Sequence, residues 1–281
     1  MLALPADPRN RIAMPIRRAL LLLLPVLLAA CAHSSPEKIA TTGSAPDAQR
    51  WADAAQLVLV TTPGWDATTG ELRRYERDGR GWRQVGEAAP ITVGRAGSAW
   101  GIGLNASHGE GPVKREGDGR APAGVFAIGT AFGYAGDART GLDYRAMGYN
   151  DWCIDVPGSP MYNRIVDRST SKAAGLDKSS EPMRLDLHAN GDQRYRQGFV
   201  IEHNANGATP NGGSCIFAHL WGKPGQATAG CTAMAPESMQ ALLGWLDRRR
   251  KPVFVLLPDA QYAQLREAWN LPATDATEAA R

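Results

Sequence analysis

A thiol and an imidazole close enough to exchange a proton make a nucleophile, and Cys231 and His219 have the residue types and spacing for one. Cys231 stands in Thr228-Ala229-Gly230-Cys231, and His219 lies twelve positions before it. A cysteine attacks as its thiolate, so it needs access, a nearby cation and N–H donors where negative charge develops. Gly230 permits close approach of a substrate carbonyl, and the amides of Gly230 and Cys231 are candidates for an oxyanion hole. Two other bases compete with His219: His203, between Glu202 and Asn204, and His188, in a polar stretch near Asn190-Gly191. The same three histidines raise a metallohydrolase, but no acidic ligand stands at zinc-site spacing. The chemistry therefore calls for no metal and no cofactor.

These side chains must be carried by strands. Ser214 to Trp221 reads as a strand whose alternation puts Cys215, Phe217, His219 and Trp221 on one face and Ile216, Ala218 and Leu220 on the other. A loop, Gly222-Lys223-Pro224-Gly225-Gln226, then returns the chain toward Cys231. Upstream, Leu57–Val60, Glu71–Glu76, Trp82–Val85 and Ile91–Val93 are predicted as a β-meander, and Gly198–Glu202 and Val253–Leu257 as further strands. The middle, from Gly101 to about Asn190, is rich in Gly, Asp, Pro and Ser and predicts ordered loops with a few strands. One helix is expected after Cys231, with Pro236 in its first turn and Met239, Leu242, Leu243 and Leu246 on its buried face. Arg248-Arg249-Arg250 would complement the carboxyl end of its dipole.

The first thirty residues read as an export signal. Arg17-Arg18 precede an apolar run, Ala19 to Ala30, that is too short for a stable span and ends in the lipobox-like Leu28-Ala29-Ala30-Cys31. Cys31 is thus the expected lipidated first residue of a mature protein. A plain signal peptide is the alternative, and Met14 is an alternative start. The whole sequence of 281 residues holds 31 Lys+Arg and 28 Asp+Glu. Removing Arg9, Arg11, Arg17, Arg18 and Asp7 leaves 27 of each, so the mature chain has no basic excess of the kind nucleic-acid binding requires. Residues 31–54, rich in Ser, Ala, Thr and Pro, read as a flexible tether. Of the four cysteines, Cys31 goes to lipid, which leaves Cys153, Cys215 and Cys231. One of the three must stay free in an oxidising compartment.

Several separated motifs in order resemble the YkuD-type L,D-transpeptidases, cysteine enzymes of peptidoglycan stem peptides. They are Lys114-Arg115-Glu116-Gly117-Asp118-Gly119 with Pro122-Ala123-Gly124-Val125-Phe126, the Tyr162-Asn163 step, Gly213-Ser214-Cys215-Ile216-Phe217-Ala218-His219, and Thr228-Ala229-Gly230-Cys231. The resemblance implies a mainly β fold: a β-sandwich over residues 55–260 with one helix after the cysteine, a loop-rich middle and a C-terminal tail at 261–281. It makes Cys231 the acylated nucleophile with a lowered thiol pKa beside an imidazolium, His219 its base, and Gly230 and Cys231 the oxyanion hole. Ser214, Trp221, Thr228 and Asn204 would touch substrate. Cys153 and Cys215 are the candidates for a disulfide stapling the middle to the His219 strand, with independent buried thiols as the alternative. Lys114, Glu116 and Asp118 are read as structural.

Two positions depart from the family's signature, which has Ser-His-Gly-Cys and an Arg two places later: Ala229 replaces that His and Ala233 that Arg. The implied activity is acyl transfer from a stem peptide through a Cys231 thioester. An L,D-carboxypeptidase, a related hydrolase or a non-catalytic peptidoglycan-binding lipoprotein are the alternatives. The implied setting is a periplasmic monomer, lipid-anchored to the outer membrane, with stem peptides and the membrane as partners and no nucleic acid.

Overall fold

The computed structural model describes residues 45–79, 81–105, 109–205 and 208–273. The expected leader (1–30), Cys31 and residues 31–44 of the expected tether lie outside the described residues. The chain begins with α1 (Ala45–Gln49), β1 (Gln56–Thr62), β2 (Thr69–Asp78), β3 (Gly81–Gln84), β4 (Ala89–Thr92) and β5 (Ser98–Trp100). The middle holds β6 (Ala121–Gly133), β7 (Tyr144–Ala146), β8 (Asp151–Cys153), β9 (Ile165–Asp167), β10 (Glu181–Pro182) and α2 (Leu185–His188). Then follow β11 (Gln197–Ile201), β12 (Phe217–Leu220), β13 (Thr232–Met234), α3 (Pro236–Trp245), β14 (Val253–Pro258) and α4 (Asp259–Leu265).

The main sheet runs β1-β14-β6-β11-β12-β13-β4-β2, and β2 pairs again with β1. The ladder therefore closes into a barrel-like ring where an open two-sheet sandwich was expected. β2 makes closure possible: at ten residues it is long enough to pair with β1 along Glu71–Glu76, with β4 along Thr69–Leu72 and with β3 along Tyr75–Asp78. The opening is accordingly not a simple meander, because β4 returns to β2 and not to β3.

The parallel pair β1–β14 is buried almost throughout, and its sequences, Leu57-Val58-Leu59-Val60 and Val253-Phe254-Val255-Leu256-Leu257, are the near-continuous apolar runs such a position demands. β6 is the longest strand and pairs with both β14 and β11. It lies in the stretch read as loop-rich because Gly and Ala give it a weak strand signature. The small residues are needed there: a Cβ on Gly133 would come within 2.5 Å of Arg196 O.

α-Helices occur at four places among the described residues, and not only after Cys231. α3 starts with Pro236 at its amino end and buries Met239, Leu242 and Leu243. It stops at Trp245, so Arg248–Arg250 forms a separate 3-10 turn and does not cap the dipole. There Arg249 pairs with Asp247 and Arg250 with Glu76.

Two stretches read as tether and tail are docked. Trp51 is buried and its Nε1 donates to Trp269 O at 3.2 Å, while Tyr262, Trp269 and Leu271 are buried in the same core. No helix among the described residues is long and apolar enough to cross a membrane.

Candidate active site

β12 and β13 are parallel neighbours, in register Ala218↔Thr232, His219↔Ala233 and Leu220↔Met234. Cys231 immediately precedes β13, so its register partner would be Phe217, and it faces the same side as Phe217 and His219. The alternation in β12 divides the molecule: Ile216, Ala218 and Leu220 belong to the main core, while Cys215 and Phe217 join Cys231 in a second cluster with Phe132, Met183 and Tyr195. A parallel pair needs a connection that travels back along the sheet. The segment from Trp221 to Cys231 does so beside β4, where Thr228 N donates to Val93 O and Arg95 N to Thr228 O.

Thr228 then builds the turn into Cys231. Its hydroxyl donates to Cys231 O (2.6 Å) and accepts the N–H of Gly230 (3.0 Å). The Gly230 amide is thus hydrogen-bonded within the turn. Its lack of a side chain serves packing, since a Cβ would sit 3.0 Å from Arg120 O.

Cys231 and His219 are both buried, at 7 % and 3 % exposure. The sulfur accepts the N–H of Phe217 at 3.3 Å and, as a thiol, donates to Cys215 O at 3.5 Å. His219 Nδ1 lies 2.7 Å from Leu220 O. A carbonyl can only accept, so Nδ1 carries the proton and Nε2 keeps the lone pair a base requires. Burial pushes the Cys231 thiol up to about 12, aided by the Glu181 carboxylate and opposed by the Phe217 N–H, Lys114 and Arg194. Burial also pushes His219 down to about 4, against the stabilising Leu220 carbonyl. Burial thus favours the neutral form of both groups, the opposite direction to the lowered thiol pKa expected beside an imidazolium.

Two residues that sequence reasoning missed complete this environment. The Tyr195 ring meets the His219 ring edge-on at 5.2 Å and the Phe217 ring at 5.5 Å. Its hydroxyl donates to Glu181 Oε1 at 2.5 Å, and burial raises that carboxyl to about 7. Neither sits in a motif, and no periodicity marks them. Glu181 belongs to a small three-stranded sheet, β10-β8-β9, that stands over the cluster. A disulfide between Cys153 in β8 and Cys215 ties that sheet to the approach of β12. Asn163 reinforces the join: its Nδ2 donates to His203 O and Asn204 O, and its Oδ1 accepts Cys215 N–H at 2.8 Å.

The remaining predicted residues mostly shape this frame. Asn204 is 2 % exposed, and its side-chain amide bonds Thr209 and Gly213. Ser214 Oγ donates to Glu116 Oε2 at 2.7 Å, and Glu116 also accepts the Tyr162 hydroxyl. Lys114 is buried in an ion pair with Asp118 at 2.6 Å. Trp221 is half-buried, with Nε1 donating to Thr92 Oγ1 at 2.8 Å. His203 accepts Ile102 N–H at Nδ1 and faces Gly212 O with Nε2, so both nitrogens are occupied. His188 lies in α2, its ring against Tyr149 and Trp152. Of the three histidines, His219 alone shares a strand face with Cys231.

Ala233 is buried and registers with His219 across the β12–β13 ladder. No curated protein and no solved structure matches the chain. A family model, described as the L,D-transpeptidase catalytic domain YkuD, matches residues 66–255. With that span of match, the chain belongs to the YkuD family of L,D-transpeptidase catalytic domains.

Proposed function

We propose that the protein is a cysteine acyltransferase of peptidoglycan stem peptides, with Cys231 as nucleophile and His219 as general base. The observation that carries this reading is the arrangement of one free thiol, held by the Phe217 N–H, on the same sheet face as an imidazole whose Nδ1 is fixed by Leu220 O. A nucleophile, a base and a group orienting the base are the three parts such chemistry needs.

In the first step His219 Nε2 takes the thiol proton as the sulfur attacks the carbonyl of an L,D peptide bond. The Cys231 N–H is the donor available to the developing oxyanion, since that of Gly230 is bound to Thr228. The imidazolium returns the proton to the departing amine of the terminal D-amino acid, leaving a thioester. An acceptor amine, losing a proton to His219, then displaces the thiol and forms a new amide.

Burial disfavours the charged form of both groups, so in this mechanism proton transfer is coupled to attack on the bound carbonyl. Trp221, half-buried at the entrance to the return loop, is a candidate to touch substrate, with Ser214, Thr228 and Asn204. We also assign the chain to the periplasm through a lipid on Cys31.

Incubating the full chain with a disaccharide-tetrapeptide tests the reading. Mass spectrometry is expected to find a tripeptide acyl group on Cys231 and cross-linked dimers among the products. Trimmed tripeptide without dimers would reassign the protein as an L,D-carboxypeptidase, and an unmodified Cys231 with unchanged substrate would overturn acyl transfer altogether.

A further inference from the structure

Two adjoining cavities, of about 640 and 460 Å³, share Arg139, Gln197, Gln240 and Leu243 and form one groove between α3 and the segment 134–141 that follows β6. Gln197 and Phe199 share a face of β11, and Phe199 belongs to the main core, whereas Gly198 between them registers with His219. Gln197 therefore enters the groove from the face of β11 opposite to the one shared with His219 and Cys231.

Hydrogen bonds fix the frame. Tyr134 N–H donates to Arg196 O at 3.3 Å, the Tyr144 hydroxyl to Ala135 O at 2.7 Å, and Gly141 N–H to Leu246 O at 2.9 Å. Leu243 and Trp245 give an apolar floor, and Trp245 is held in turn by Glu76 Oε1 at 2.7 Å. A pre-formed, partly apolar groove with a few polar groups is the usual form of a ligand site.

Those polar groups are unanswered. Gln197 is half-buried, its Oε1 is buried without a hydrogen-bond partner, and its Nε2 makes no bond either among the described residues. A buried carbonyl oxygen is costly unless a donor meets it. The guanidinium groups of Arg139 and Arg196 are exposed, and neither makes a hydrogen bond or ion pair among the described residues. Asp137 is the acid in these walls, so two cations face one anion. A bare inorganic anion would leave the Gln197 carboxamide without an N–H, and a neutral sugar would leave the guanidinium groups unpaired. The last residue of a peptide satisfies both, since its amide N–H and its carboxylate sit on the same α-carbon.

We propose that this groove is an exosite for the C-terminal residue of a stem peptide, with Gln197 pairing its amide and Arg139 and Arg196 its carboxylate. The proposal rests on the acyl-transfer reading only for the identity of the peptide, because the substrate assigned there ends in a D-amino acid with a free carboxylate. A stem held on this face is not the one that acylates Cys231. The groove instead keeps the enzyme on a polymer that carries many such stems.

Hydrogen exchange of the full chain carrying Cys231→Ala locates the ligand without chemistry. The probes are a disaccharide-tetrapeptide with its terminal carboxylate free, the same compound as its terminal amide, and inorganic phosphate. The free acid is expected to protect the backbone amides of residues 134–141, with half-saturation at a concentration at least about tenfold below that of the amide form. Arg139→Ala combined with Arg196→Ala, and separately Gln197→Leu, should each raise that concentration at least about tenfold, while leaving the rate at which the soluble tetrapeptide acylates an intact Cys231 unchanged. No protection of 134–141, equal protection by acid and amide, protection that survives the substitutions, phosphate as effective as the peptide, or slower acylation in the variants overturns the exosite. The two readings fail separately. Protection of 134–141 without acylation of an intact Cys231 would overturn only the transfer, and acylation without that protection would overturn only the exosite.

Discussion

The backbone N–H of Phe217 donates to the sulfur of Cys231 at 3.3 Å, so the strand that carries His219 also holds the Cys231 thiol. Phe217 and His219 are two residues apart on one face of β12, and Cys231 enters the neighbouring parallel strand beside them. The relative placement of thiol and imidazole is therefore set by sheet register and not by loop conformation. Loss of register would cost both groups together.

Removing the base should slow acylation much more than it changes binding. His219→Ala is expected to lower the rate of acyl-Cys231 formation by about 10²–10⁴-fold, followed by mass spectrometry under single-turnover conditions. A rate within severalfold of the unmodified protein would move the base elsewhere.

The free protein should alkylate slowly at neutral pH. With the Cys231 thiol pushed up to about 12, its reaction with iodoacetamide is expected to rise about tenfold per pH unit through the alkaline range without levelling off. A plateau near neutrality would reveal a preformed thiolate–imidazolium pair.

Glu181 should hold the thiol back. Its carboxylate is the second cause of the raised Cys231 value, so Glu181→Gln is expected to speed alkylation at pH 8 severalfold. Tyr195→Phe removes the hydroxyl that donates to Glu181 and is expected to cost about 1–3 kcal/mol of stability, read from urea denaturation.

Acid should unfold the domain through its histidines. Burial depresses both His203 and His219 from 6.5 to about 4, so the unfolded chain binds two protons that the native one refuses between those values. Stability is then lost as pH falls from about 6.5 to 4, by about 3 kcal/mol for each histidine at the lower end. Glu181, raised from 4.5 to about 7, acts oppositely: the native state holds its proton first, so it adds stability as pH falls from 7 to 4.5. Two histidines outweigh one carboxyl. Urea midpoints at pH 6.5 and 4.5 should show a net loss, steeper in Glu181→Gln, and a flat profile would contradict it.

Breaking the disulfide should free the small sheet. Cys153 and Cys215 are joined across 62 residues, and replacing both with Ser is expected to cost about 4 kcal/mol. Hydrogen exchange should rise first in β8, β9 and β10, while β1 and β14 stay protected. Uniform loss of protection would mean that the bridge supports the whole barrel.

The parts legible in the sequence were those written in local patterns. The alternation of Ser214–Trp221 already separates the Cys231 face from the core face, and the runs in β1 and β14 already read as buried strands. Weak local patterns were the ones misread. β6 is too rich in Gly and Ala to look like the longest strand, and Trp51, Tyr262 and Trp269 look like tether and tail until a distant partner buries them. Glu181 and Tyr195 had no signal because their importance is a contact between segments, not a property of either.

By itself, the sequence determined the chemical parts: a cysteine after a Thr-Ala-Gly turn and a strand-borne histidine. Tertiary structure decided their state. Phe132, Met183, Tyr195 and Phe217 bury Cys231 on the face of β12 away from the main core, and burial favours the neutral forms of Cys231 and His219. Charge state depends on what surrounds a group in space, and residues fourteen or fifty positions away along the chain supply those surroundings here.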